Sequence, residues 1–202
     1  MIRLAHAVLV IADISGYTDF IVNRAVSLVH AEQIVSDLLD AIAQCSRQPL
    51  VLNKFEGDAA LFYAESGEDR PAAAADVAAQ LGAMFDAFTR MRGRIAAARR
   101  GCGCDGCQNV HALRLKAFVH CGEIAIKTLR GFTELAGEDV IVLHRLLKND
   151  VDGREYVLVT AAACALWPPA SAGQTHRANC EGVGEVEVRV LSPAQLPRAP
   201  AA

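Results

Sequence analysis

The sequence predicts one α/β domain, an α+β sandwich in which helices cover a single sheet. Short apolar runs of strand length alternate with helical stripes, in the order strand, helix, strand, strand, helix, strand, helix, strand, strand. The 202 residues suffice for one domain that buries about 70% of its unfolded surface. Hydrophobic residues make up 52% and charged residues 21%, a balance that excludes a disordered chain.

Residues 7–12 read as a buried strand, a short run of Ala, Val, Leu and Ile. Residues 19–45 read as one long helix, because Phe20, Ile21, Ala25, Leu28, Ile34, Val35, Leu38, Leu39 and Ile42 form a helical stripe. Pro49 breaks the chain, and 50–53 and 59–63 read as two strands joined by a turn at Glu56-Gly57-Asp58. After a loop at 67–70, an alanine-rich helix runs over 71–99 with Pro71 in its first turn. A cysteine-rich loop at 101–108 leads into a strand over 113–126, with a bend expected at Gly122. A short helix over 138–148 and a strand over 156–160 follow. Residues 185–191 alternate Val with charged residues, as a half-exposed strand does. The single domain is expected to span 1–192, and the Pro/Ala-rich 193–202 to fray.

Charge and hydropathy exclude several functions. Twenty basic against 23 acidic residues give a net charge of −3, and no Lys/Arg cluster is interleaved with aromatics, so nucleic acid is not an expected partner. The longest apolar candidate, 156–167, stops at Pro168-Pro169, short of the ~20 residues that cross a membrane. The run at 7–12 passes into Asp13 without a cleavage site, so a cytoplasmic protein is expected.

Seven cysteines is an odd number, and Cys102, Cys104 and Cys107 crowd into one loop. Cysteines this close pair poorly, and a reducing cytosol disfavours disulfides, so the cluster points to metal. Three thiolates leave tetrahedral zinc one ligand short. Cys121 and His111 are the nearest candidates for the fourth. Free thiols and a redox switch are the alternatives. Cys45, Cys164 and Cys180 read as small core residues.

Asp13 and Asp58 carry the chemistry. Each ends an apolar run beside a glycine turn, a place that presents a carboxylate at a sheet edge. Alone, Asp13 reads as a helix cap, Lys54 as a solvated cation and His120 as a satisfied core histidine. Together, two such carboxylates beside Lys54 can share divalent metal, the core of a phosphoryl-transfer site.

In order along the chain stand Asp13-Ile14-Ser15-Gly16-Tyr17-Thr18, Lys54-Phe55-Glu56-Gly57-Asp58, His120-Cys121-Gly122, the stretch from Gly137 to Arg145, and a terminal Glu181-Gly182-Val183-Gly184-Glu185-Val186 hairpin. This ordered set, covering about 6–191, resembles the class III nucleotidyl cyclases, which form cyclic AMP or cyclic GMP. With its cysteine loop, the chain looks like an uncharacterised cyclase-like bacterial family. The resemblance implies a ferredoxin-like fold with a mostly antiparallel central sheet. It implies Mg²⁺ or Mn²⁺ at Asp13 and Asp58, and backbone N–H groups of Ile14, Ser15, Gly16 and Tyr17 facing phosphate. Lys54 and Glu134 would meet adenine, making ATP the implied substrate, and Arg145 would stabilise the transition state. The family's site lies between two subunits, so a homodimer is implied.

Two positions depart from the family pattern. Ile141 replaces the asparagine that orients the ribose, and Glu181 replaces a lysine that meets the triphosphate. Losing one preorganised transition-state hydrogen bond typically costs about 2.7–4 kcal/mol. Weak turnover to cyclic AMP is therefore the expectation, with an inactive nucleotide-binding signalling module, or a metal- or redox-sensing module, as alternatives. On the helix, Ile141, His144, Arg145 and Lys148 share a face, so His144 or Lys148 is a candidate to replace a lost donor.

Overall fold

A computed structural model describes residues 2–22, 27–67, 69–167, 170 and 172–198. The first strand, β1 (Ile2–Ser15), shows why its sequence is apolar without alternation. Val8, Val10, Ala12 and Ile14 enter one core, and Ala7, Leu9 and Ile11 enter another on the opposite face. A strand buried on both faces has no solvent side to make polar.

The helical stripe over 19–45 is divided. Helix α1 covers Tyr17–Val22 and α2 covers Leu28–Ala43; residues 23–26, Ala25 among them, lie outside the described residues. Ala31, Ile34, Val35, Leu38 and Ile42 bury the inner face of α2. The hairpin of β2 (Val51–Glu56) and β3 (Ala59–Glu65) turns at Gly57-Asp58 as expected. Helix α3 (Arg70–Ala98) is capped by Asp69, whose carboxylate accepts the Ala72 N–H at 2.9 Å, with Pro71 in the first turn. Val77, Leu81, Met84, Phe85 and Phe88 of α3 share the first core with α2.

The cysteine stretch contains a short helix, α4 (Asp105–Asn109), which the sequence pattern does not signal. Strand β4 (Arg114–Leu129) pairs with β1 in unbroken register through Gly122, with no bulge there. Two strands escape the apolar pattern: β5 (Phe132–Ala136) is short and buries only Leu135, and β7 (Gln174–Cys180) is a polar edge strand. Between them lie α5 (Glu138–Arg145), continued by a 3₁₀ turn at Leu146–Lys148, then β6 (Tyr156–Thr160) and α6 (Ala161–Cys164). The last strand is β8 (Gly184–Leu191).

Among the described residues, eight strands form one sheet in the order β2-β3-β1-β4-β6-β8-β7, with β5 paired to β4. Every pairing is antiparallel except β4 with β6. Helices α2 and α3 cover one face, and Val140 and Leu143 of α5 pack on the other. The segment after β8, expected to fray, is held through Arg198: Leu196 is buried, and Arg198 pairs with Asp86 of α3 at 3.2 Å. Among the described residues, no helix is long and apolar enough to cross a membrane.

Candidate functional site

β1 brings Asp13 to the end of its buried run, opposite Lys116 of β4 and Ala59 of β3. The carbonyl of Asp58 accepts the Ile14 N–H at 3.1 Å, which fixes the β2–β3 turn against the end of β1. The two carboxylates therefore line one cleft, of about 380 Å³. Gly16 sits there at φ 93°, a left-handed conformation that glycine takes without strain. The chain turns at Gly16 from strand into α1, so Ile14, Ser15, Gly16 and Tyr17 line the cleft too.

Burial, then the charge of Asp58, pushes the Asp13 carboxyl up to about 6, with Lys116 opposing. Burial also raises Asp58, against the pull of its own backbone N–H. Like charges held in a partly desolvated cleft are stabilised by a cation between them. Hard carboxylate oxygens suit Mg²⁺ or Mn²⁺, so these two side chains fit the implied metal.

Two cations of the cleft were not legible in the sequence. Lys116 faces Asp13 and stacks 4.7 Å over the Tyr156 ring. Arg154 lines the cleft beside Gly16 and pairs with Asp19 at 3.1 Å. It belongs to a polar loop with no motif. Only the parallel pairing of β6 with β4, which sets Tyr156 against Lys116, brings it here.

A second cluster forms where β2 meets β5. Lys54 Nζ lies 3.1 Å from Glu134 Oε2 and 3.7 Å from Glu56 Oε1. Asn53 donates to the Thr133 carbonyl at 2.8 Å across the same gap. The structure thus joins two residues that the motifs placed on one purine edge. His144 has ring nitrogens 2.8 Å from the Val140 carbonyl and 2.9 Å from Glu56 Oε2. It is thereby tied to the Lys54 cluster, which the helix-face reading did not anticipate. Arg145 does not line the carboxylate cleft of its own chain, and makes no side-chain ion pair among the described residues. Ile141 is exposed on α5, and Glu181 is exposed in the β7–β8 turn.

The third motif is structural. His120 is buried, with Nε2 2.8 Å from Asp139 Oδ1 and Nδ1 2.7 Å from the Thr160 hydroxyl. Gly122 makes room for that arrangement: a Cβ there would lie 2.0 Å from the Asp139 carboxyl carbon.

The cysteine stretch gathers a different set from the one expected. His30 of α2 meets Cys102, Cys104 and Cys107, and the four donor atoms lie within 4.8 Å of one another, a group that can hold a metal. Cys121 and His111 are not part of it. Cys121 is buried in the sheet core, where burial pushes its thiol up to about 12, and His111 Nδ1 lies 3.0 Å from the Gln108 carbonyl. His30 carried no signal in the sequence, because it lies far from the loop and outside any metal spacing. Cys104 caps α4, and the Cys107 N–H on its sulfur, then His30, lower its thiol to about 6.

A model of the family described as "Protein of unknown function (DUF2652)" matches residues 35–156. The uncharacterised protein Rv2561/Rv2562 of Mycobacterium tuberculosis is 30% identical over 175 residues, 83% of this chain and 77% of its own length. Among solved structures, the adenylyl cyclase CyaB of P. aeruginosa superposes with a TM-score of 0.73 at 12% identity, covering 95% of both chains. The guanylyl cyclase Cya2 gives 0.74 at 13%, covering 94% of this chain and 92% of its own. A class III adenylyl cyclase-like ATP-binding protein from Pseudomonas aeruginosa gives 0.68 at 16%, covering 85% of this chain and 37% of that one. At these identities the likeness shows the fold, and the fold is the cyclase-like one implied by the ordered motifs.

Proposed function

We infer function from the premise that this chain belongs to the DUF2652 family and has the fold of class III cyclases. The reading is a cytoplasmic homodimer that binds ATP with Mg²⁺ or Mn²⁺ and turns it slowly into cyclic AMP. One observation carries it: Asp13 and Asp58 share a cleft with the Gly16 turn, and both carboxyls are raised there.

Asp13 and Asp58 would hold the ions. Held there, divalent metal would supply charge neutralisation for the triphosphate and a lowered pKa for the ribose 3′-hydroxyl. Ser15 to Tyr17, at the Gly16 turn, would offer backbone N–H groups to phosphate oxygens, whereas that of Ile14 is already given to the Asp58 carbonyl. Lys116 and Arg154 add positive charge at the same cleft and offset the lysine lost at Glu181. Lys54 and Glu134 present a donor and an acceptor to the purine edge. Arg145, without an ion pair of its own, would reach the cleft of a second copy. Phe55, Leu129, Phe132 and Ile141 are exposed around the Lys54 cluster and on α5, apolar surface that a second copy would cover.

Ile141 and Glu181 favour a second reading, a nucleotide-binding module without turnover. The solved structure described as a cyclase-like ATP-binding protein is consistent with it. The test incubates purified protein with ATP or GTP plus Mn²⁺ and follows cyclic product and thermal shift. Product that disappears in Asp13→Ala supports the enzyme. A thermal shift without product supports the binding module. Neither product nor shift with either nucleotide removes both.

A further inference from the structure

The cysteine insertion takes no part in the nucleotide reading, yet its three thiols converge on one imidazole. We propose that His30 Nδ1 and the thiolates of Cys102, Cys104 and Cys107 bind a structural zinc ion that pins the insertion to α2.

The distances carry the proposal. His30 Nδ1 lies 3.4 Å from the Cys104 sulfur, 3.5 Å from Cys102 and 3.6 Å from Cys107. A single ring nitrogen has either one hydrogen to give or one lone pair to accept with, so hydrogen bonding explains one short contact and not three of 3.4–3.6 Å. A central ion explains all three. With Zn–S at about 2.3 Å and Zn–N at about 2.0–2.1 Å, the N···S edge of a tetrahedron is about 3.5–3.6 Å.

The donor chemistry selects the metal. Three thiolates and one imidazole are a soft set of the kind found in closed, four-coordinate zinc sites. All four positions are filled by protein, which leaves no open place for water or substrate, so the role is structural rather than catalytic. Surrounding groups suit a site with one net negative charge. The Cys107 N–H points at the Cys104 sulfur at 3.4 Å, and the Arg99 guanidinium lies 3.8 Å from the Cys107 sulfur. Gly101 and Gly103 flank Cys102 and give the insertion little apolar surface of its own, so coordination would supply folding energy there.

The insertion also reaches the nucleotide cleft. Asn109, Ala112 and Leu113, just beyond the cysteines, face Gly16, Phe20 and Arg154 across a small pocket. A zinc-fixed insertion therefore forms the wall behind the Gly16 turn.

Elemental analysis of the full chain, expressed with zinc and purified without chelator, tests the site. About one zinc per chain is expected. Zinc is lost from His30→Ala and from Cys104→Ser, and kept in Cys121→Ser and His111→Ala. Full zinc in His30→Ala, stoichiometric iron in place of zinc, or a disulfide among the three cysteines in metal-free protein would overturn the proposal. If the ligand variants do not fold, cobalt exchanged into the wild-type chain decides. Thiolate-to-cobalt charge transfer with intense tetrahedral d–d bands supports the site, and an octahedral spectrum sinks it.

Discussion

Burial and Asp58 raise the Asp13 carboxyl from an ordinary 3.8 to about 6. Well below pH 3.8 both folded and unfolded chains carry the proton, and the shift has no effect on stability. As pH rises toward 6 the unfolded chain loses its proton first, so stability falls, and above about pH 6 the loss is complete. It amounts to about 3 kcal/mol in metal-free protein. Asp13→Asn should therefore melt higher than wild type at pH 7 in chelator, with the gap closing near pH 4. Added Mg²⁺ or Mn²⁺ should stabilise wild type and leave the variant unmoved. An equal gap at both pH values would contradict this account. The Lys54–Glu134 pair makes a separate prediction. A hydrogen bond to a charged group is worth about 1.5–3 kcal/mol, so Lys54→Ala should weaken ATP about 10- to 100-fold. Inorganic triphosphate, which has no base, should bind both proteins equally. A parallel loss of both ligands, read by calorimetry, would move Lys54 from the purine to the phosphates.

Each element is legible in the sequence to the extent that burial shaped it. β1, β3, β6 and α3 bury long stretches, and their apolar patterns mark them. β5 and β7 bury few side chains, so neither produced a pattern. The extended residue Ser27, which starts α2, was hidden because apolar residues stand at helical spacing on either side of it in the sequence. The carboxylates were legible through local motifs, whereas Lys116, Arg154 and His30 join their sites through strand register and helix packing alone. Gly122 shows a motif residue kept for space. Its hydrogen stands where a Cβ would lie 2.0 Å from Asp139, itself held by His120. Gly122→Ala should cost about 1–3 kcal/mol by overpacking. Adding Asp139→Ala should recover part of that loss in denaturant melts. Additive losses would show that the methyl group and the carboxylate do not collide.

At the scale of the whole molecule, the proposed homodimer sets Asp13 and Arg145 of one site on different chains. Asp13→Ala and Arg145→Ala should each abolish product alone. Mixed and allowed to exchange, half the dimers pair one of each, and one of their two sites regains both side chains. About a quarter of wild-type activity should return, as the two-fold symmetry requires. No recovery after proven exchange would place both residues in the same chain's site. The central position of β1 bears on how the molecule is made. Its partner β3 follows within about fifty residues, but β4 is translated about a hundred residues after it. At ribosomal rates of about 5–20 residues per second, β1 waits roughly 5–20 seconds for that second neighbour. Until then the nascent chain is a three-stranded sheet whose first-made strand, apolar on both faces, has one unpaired edge. A chain halted at residue 113 should accumulate in the insoluble fraction, and its recovery in soluble form would show that the hairpin alone protects the strand. The strand that anchors the finished sheet is thus its greatest exposure during synthesis.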